Sequence, residues 1–191
     1  MTGKRTKSAH VWDRDPDDWY VEPEWCSARL FDEEQFTGPV WDPSCGLGRV
    51  VEQARAAGLS AIGTDLRKRS EACSFTVDFL TDGMAMIGHD IVANPPFKAA
   101  DAFVAQALRL ASGKVAMLLP TKWLSSNRRA AWLQTTPLRR VWFMTPRPSM
   151  PPGAVIEAGI APGNGTADFC WVVWLKGYDG APEFRWLRRD A

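Results

Sequence analysis

The chain has 191 residues, which fits one domain and is enough to bury roughly 70% of the surface that its unfolded form exposes. Its 23 basic and 22 acidic side chains leave a formal charge of +1, which excludes a uniformly basic nucleic-acid module, and no run of about 18 apolar residues exists to span a bilayer. Cys26, Cys45, Cys73 and Cys170 form no C-x-x-C pair and have no adjacent histidine, so neither a zinc site nor a disulfide framework is predicted, and His10 and His89 read as bystanders.

In chain order, Met1–Ser8 is polar and basic without the apolar core of a signal peptide. It predicts a basic, flexible tail over residues 1–12, followed by a single domain over 13–191 in a soluble, cytoplasmic protein. Pro39–Asp42 reads as a short strand ending in the glycine-rich turn Pro43–Gly48, and Arg49–Ala57 as a helix stopped by Gly58. Strands follow at Ser60–Thr64, weakly at Ser74–Val77, and at Asp90–Ala93, which runs straight into Asn94. Ala100–Ser112 places Ala102, Phe103, Ala107, Leu108 and Ala111 on one helical face. Lys114–Leu119 is a central strand closed by Pro120, Asn127–Thr135 a short basic helix, and Arg139–Met144 and Phe169–Leu175 two further strands. The alternation predicts an α/β fold with a mostly parallel, seven-stranded sheet covered by helices on both faces. No helical pattern separates the last two strands, which are therefore expected to form an antiparallel pair at the sheet edge. Their connection, about 145–168, is rich in Pro and Gly and long enough to suggest a functional, substrate-facing loop.

Charge is unevenly spread. From Ala102 to Ile156 there is no acid, whereas Arg109, Lys114, Lys122, Arg128, Arg129, Arg139, Arg140 and Arg147 are all basic. Acids gather between Asp13 and Glu34. This predicts one positive and one negative face and an anionic partner.

In an open α/β sheet, ligands bind beyond the carboxyl ends of the strands. Asp42, Asp65, Asp78 and Asn94 each stand at or just past such an end, so they are expected to line one crevice. Gly46 and Gly48 let backbone approach a ligand closely, as a dinucleotide loop also would. Asp65 follows at close to the spacing, roughly 20 residues, from which a carboxylate reaches ribose hydroxyls. Asp78-Phe79 would suit an adenine ring. In Asn94-Pro95-Pro96-Phe97, two prolines fix the backbone and remove two N–H donors, leaving acceptors and one aromatic. The Asn94 side-chain oxygen and a backbone carbonyl can accept both hydrogens of an NH2 group while Phe97 stacks on the ring that carries it.

On these residues the chain resembles the class I S-adenosylmethionine-dependent amino-methyltransferases, whose signature is (D/N)-P-P-(Y/F/W), and in particular small phage-type DNA N6-adenine methyltransferases, over about Trp19 to Leu187. The resemblance implies a Rossmann-like fold, S-adenosylmethionine as methyl donor with S-adenosylhomocysteine as product, and no metal. It makes Asn94, Pro95, Pro96 and Phe97 the catalytic turn. It places the donor against Tyr20, Glu22, Pro23, Asp42, Pro43, Ser44, Gly46, Gly48, Asp65, Leu66, Asp78, Phe79 and Asn94. Asp18–Pro23 is similar to an upstream element that often reads Tyr-x-Thr-Pro, with Glu22 where Thr is commoner. Phe97, Lys98, Lys122, Trp123, Arg128, Arg129, Arg147 and Asp168 are the expected substrate contacts, with Arg139 and Arg140 as further phosphate ligands.

The implied reaction is methylation of adenine N6 in DNA, by a monomer or weak dimer in a bacterial or phage-infected host cell. With no separate reading module, sequence preference should be short or relaxed. The same turn would also serve an RNA adenine methyltransferase, a DNA cytosine N4 enzyme or a protein glutamine N5 enzyme. From a different class, a nucleic-acid-binding protein that has lost catalysis would keep the same donor fold.

Overall fold

The computed structural model describes residues 12–13, 15–82 and 88–190. Of the basic tail expected over 1–12, all but Trp12 lies outside them. The strands are β1 (Val40–Asp42), β2 (Ala61–Asp65), β3 (Cys73–Thr76), β4 (Asp90–Ala93), β5 (Lys114–Pro120), β6 (Leu138–Thr145), β7 (Phe169–Leu175) and β8 (Glu183–Arg188). Among the described residues they form one eight-stranded sheet in the order β3-β2-β1-β4-β5-β7-β6-β8. The first five are parallel, β7 is antiparallel to both β5 and β6, and β8 is parallel to β6.

The predicted antiparallel pair exists, but it is not the edge. Phe169 to Trp174 are buried without a break because the strand packs into a core on each face of the sheet, as a central strand does. β7 therefore slots between β5 and β6. The edge belongs to β8, an eighth strand not expected from the sequence. Its alternation of charged and aromatic residues buries only Leu187.

Helices α1 (Glu24–Glu33) and α2 (Arg49–Ala56) cover one face of the sheet, and α3 (Ala100–Leu110) and α4 (Asn127–Leu133) the other. Side chains alternate between two cores, as a period of two requires. Val40, Val92, Ala116, Leu118, Trp171 and Val173 join α1 and α2, whereas Trp41, Ile91, Val115, Met117, Leu119 and Val172 join α3 and α4. α1 lies in the acid-rich stretch and was not anticipated. Its buried Cys26, Ser27, Leu30 and Phe31 fall on one face at helical spacing, directly after Pro23. The long connection also contains a short helix, α5 (Gly153–Glu157).

Folding dissolves much of the charge segregation seen along the chain. Glu34, buried after α1, accepts from Lys114 Nζ at 2.8 Å, from Trp142 Nε1 at 3.0 Å and from Arg140. Burial pushes its carboxyl up, but these donors and their charges prevail and hold it below the usual range. No helix among the described residues is long and apolar enough to cross a membrane.

Trp171 is fully buried and donates from Nε1 to the Cys26 carbonyl at 2.9 Å, joining β7 to α1. Trp171→Ala should cost about 3–5 kcal/mol in urea unfolding. A loss below about 1 kcal/mol would mean that the core between the sheet and α1 collapses onto the gap.

Candidate active site

The carboxyl ends of β1, β2 and β4 converge on a cavity of about 360 Å³. Asp42, Pro43, Ser44, Gly46, Asp65, Leu66, Asp78, Phe79 and the whole Asn94–Phe97 turn line it, as do Tyr20 and Glu22. Pro23 and Gly48 do not. Pro23 precedes the first turn of α1, and Gly48 is buried against Ala72 at the start of α2 with φ 87°.

Gly46 is the glycine that the cavity itself requires. Its φ is 47°, its N–H donates to Asp65 Oδ2 at 2.9 Å, and a Cβ there would stand 2.9 Å from Trp19 Nε1. Asp65 also accepts from the Arg67 N–H at 3.2 Å, so its carboxylate shapes the turns around it. Asp78 accepts from the Leu80 N–H at 2.9 Å. Phe79 is a core residue that shows one side to the cavity, edge-on to Trp41 at 5.3 Å. Leu66, by contrast, is 63% exposed, an apolar surface waiting at the rim.

Asn94 is held from one side. Its Nδ2 donates to the Tyr20 carbonyl at 2.9 Å and to Glu22 Oε2 at 2.8 Å. Both partners are acceptors, which fixes the orientation of the amide. Its Oδ1 is buried and has no hydrogen-bond partner among the described residues. The Asn94 carbonyl accepts from Ser44 Oγ at 3.2 Å and that of Pro96 from the Ala99 N–H at 3.0 Å. Phe97 stacks on Tyr20, with centroids 5.8 Å apart and rings 13° from parallel. Burial pushes the Glu22 carboxyl above its usual range against the hydrogen bonds from Asn94 and Ser27.

Residues 15–22 cross the cavity as a strap. Asp17 pairs with Arg67 at 2.8 Å and Arg69 at 3.2 Å, and the Arg69 guanidinium lies 3.9 Å from the centre of the Trp19 ring. Asp18, with φ 58°, accepts from the Lys98 N–H at 2.7 Å. On its other side the strap meets the long loop: Gly153 N–H donates to the Trp19 carbonyl and Val21 N–H to that of Pro151, each at 3.0 Å. Arg67 and Arg69 were missed as cavity residues, and Trp19 was covered only as part of the Asp18–Pro23 element. The available signal was two arginines directly behind Asp65 and a second aromatic beside Tyr20.

A second hollow of about 500 Å³ lies across the Tyr20–Phe97 wall, lined by Lys98, Lys122, Pro148, Ser149, Met150, Phe169 and residues 164–167. Among the predicted substrate contacts, Phe97, Lys98 and Lys122 face it. The other five do not line it. Trp123 is only 5% exposed; its Nε1 donates to Asp101 at 2.8 Å and Arg129 covers its ring, so it is a core residue rather than a base holder. Arg128 and Arg129 pair with Asp101, while Arg147 pairs with Asp168 at 2.6 Å. Arg139 and Arg140 bind Glu183, and Arg140 also binds Glu34, which removes both from the expected phosphate contacts. Arg128 remains 80% exposed, and an exposed pair of this kind exchanges its partner at little cost.

No protein-family model and no curated protein matches the sequence. Solved structures do resemble the fold. The chain is similar to a protein from Listeria monocytogenes assigned as a class I S-adenosylmethionine-dependent methyltransferase (TM-score 0.59, 10% identity, 86% of this chain and 65% of that one). It is similar to the M protein of the type I restriction enzyme EcoKI (TM-score 0.59, 13% identity, 91% of this chain and 49% of that one). A third likeness is to a protein from Pyrococcus horikoshii assigned as an RNA methyltransferase (TM-score 0.59, 11% identity, 88% of this chain and 94% of that one). The chain thus spans just under two thirds of the first of these proteins and about half of the second. Its fold is that of the class I methyltransferases.

Asp42 gives the cavity a measurable signature. Burial holds its carboxyl well above the usual range; the Ser44 N–H on Oδ1 opposes this, and the nearby Glu22 and Asp65 add to it. As pH rises the unfolded chain ionises first, so the folded form is penalised from the ordinary aspartate range upward and not below it. Asp42→Asn keeps the acceptor for Ser44 and removes the charge. It should raise the thermal midpoint at neutral pH, with the gain vanishing below about pH 4. An unchanged midpoint at neutral pH would show that Asp42 carries no such penalty.

Proposed function

We propose that this chain is an S-adenosylmethionine-dependent methyltransferase acting on the N6 amine of adenine in DNA, with short or relaxed sequence preference. The observation that carries the reading is the buried, unpartnered Oδ1 of Asn94 beside Phe97. A buried acceptor left empty costs about 1–3 kcal/mol, and an incoming N–H relieves that cost. An exocyclic amine brings two hydrogens. Oδ1 takes one, and the Pro95 carbonyl, which accepts no hydrogen bond among the described residues, takes the other.

The cavity on the other side of Asn94 suits the donor. S-adenosylmethionine, when bound there, supplies an electrophilic methyl group on a sulfonium sulfur. Asp17, Asp18, Glu22, Asp42, Asp65 and Asp78 line the cavity together with Arg49, Arg67, Arg69 and Lys98, an excess of acids that favours a cationic ligand. Gly46 allows a close approach of backbone, Asp65 stands where ribose hydroxyls are expected, and Leu66 offers an apolar face for the adenine of the donor. At the turn, Asn94 and the Pro95 carbonyl draw the amine hydrogens into place, which directs the nitrogen lone pair out of the ring. Alignment of this kind supplies much of the acceleration. Glu22 and the Tyr20 carbonyl act through Asn94 by holding its amide.

The second hollow accepts the base. Its wall of Tyr20 and Phe97 offers ring faces for stacking, and Lys98 and Lys122 offer charge to phosphates. A base within a duplex has to leave the stack to reach Asn94.

Purified protein given methyl-labelled donor with DNA, RNA and protein in parallel should place the label on adenine N6 of DNA. Label on RNA, on cytosine or on glutamine would reassign the substrate, and no label anywhere would remove the enzymatic reading. Asn94→Ala should lower transfer at least ~100-fold while changing donor affinity only a few-fold. Full activity in that variant would overturn the role of the turn. Glu22→Ala frees the Asn94 amide to rotate and should lower kcat about 10-fold. An unchanged kcat would show that the Tyr20 carbonyl alone suffices.

A further inference from the structure

We propose that the outer face of β6 and β8 is a stacking platform for unpaired nucleobases flanking the one methylated. The proposal takes its partner from the function proposed above, but its observations lie outside the catalytic cavity. Phe184 and Trp186 of β8 are 58% and 68% exposed, and both rings face Phe143 of β6. Phe143 and Phe184 are stacked, with centroids 6.3 Å apart and 22° between planes; Phe143 and Trp186 lie 6.4 Å apart at 38°. Strand alternation puts Arg188 on the same face. Elsewhere this side of the sheet is packed under α3 and α4, and Phe143 is the last residue of that core. Beyond it the aromatic faces are open.

On this face Arg188 is the cation beside the rings, which favours an anionic occupant. Glu183, the acid of β8, already binds Arg139, Arg140 and Arg185, and hydrogen bonds from Arg139 and then Arg140 hold its carboxyl down to about 2. The Arg188 guanidinium makes no close ion pair among the described residues, and its charge acts at longer range on Asp190, whose close partner is Arg189. The patch is therefore apolar and aromatic with a cationic margin, the combination that binds single strands by stacking on base faces while neutralising phosphates. A duplex hides those faces inside its stack and would leave the rings unused. Arg185 and Arg188 on the edge strand also oppose pairing with a second copy of β8.

Direction ties the platform to the catalytic turn. β8 runs parallel to β6, which runs parallel to β4, so Arg188 and Asn94 lie at the same edge of the sheet. From β4 to β8 the order passes through β5, β7 and β6, a lateral distance of about 19 Å at ~4.8 Å per strand. Even a fully stacked strand, at ~3.4 Å per nucleotide, covers that in about six nucleotides. A base held at Asn94 thus leaves its neighbours within reach of Trp186.

The test uses the full chain and labelled oligonucleotides of about 12 residues, a usual single-strand site size, as DNA and as RNA, read by fluorescence anisotropy. The double variant Phe184→Ala/Trp186→Ala should bind them about 10- to 100-fold more weakly, with the loss retained at high salt, whereas Trp186→Phe should keep most of the affinity. Arg188→Ala should lower the salt slope by about 1. In the unmodified protein, the part of the emission that Trp186→Phe removes should fall when strand is added, a reading that needs no truncated variant. Equal affinity of the double variant, or no change in that emission, would overturn the proposal. So would a double variant that dissociates a dimer in sedimentation and binds strand normally, since the patch would then join two copies. Methyl transfer is measured alongside. Transfer to DNA with an unaltered KM in the double variant removes the platform and leaves the enzyme; a protein that neither binds strand nor methylates it removes both. Preference for the DNA or the RNA strand identifies which polymer the platform serves.

Discussion

The site is organised around one amide nitrogen. Asn94 Nδ2 spends both hydrogens on acceptors from the strap, the Tyr20 carbonyl and Glu22, so its oxygen has no freedom to turn away. The strap is held in turn by Asp17 on Arg67 and Arg69 and by the Asp18 contact to Lys98 N–H. β4 supplies the platform, with four buried residues that run directly into the turn. A segment of the early chain thereby determines what a residue in the middle of the sheet presents. Glu22 reads in this light as a second acceptor for that amide.

The arrangement is costly in an isolated protein. Glu22 and Asp42 are buried carboxyls whose hydrogen-bond donors are neutral, and both are pushed above their usual range by burial. The buried Glu34 shows the contrast. Surrounded by Lys114, Arg140 and Trp142, it is held down and acts as a structural tie between α1 and the sheet. Cationic donors hold one acid down, whereas the other two are met by neutral donors and stay raised by burial.

Most of what the sequence revealed was local. A strand followed at once by Asn-Pro-Pro-Phe, glycines after Asp42, and an acid at the end of β2 can all be recognised without tertiary contacts, and the cavity gathers them. What stayed hidden depended on pairing across the chain. The acid-free stretch from Ala102 to Ile156 looked like a phosphate surface, yet Asp101, Glu183 and Glu34 reach it from elsewhere and neutralise Arg128, Arg129, Arg139 and Arg140. Trp123 looked like a base holder because it follows a central strand; its indole instead turns inward to Asp101. The edge strand β8 buries one residue, so it leaves almost no hydrophobic pattern to detect.

The strap and the long loop are stitched together by Trp19–Gly153, Val21–Pro151 and the bridge between Tyr20 and Pro152. One of these segments closes the first cavity and the other borders the second. A ligand that draws the loop inward therefore does work on the strap, and one that fills the cavity beneath the strap does equal work on the loop. Thermodynamic reciprocity makes any such coupling equal in both directions. The two hollows share one stitched wall.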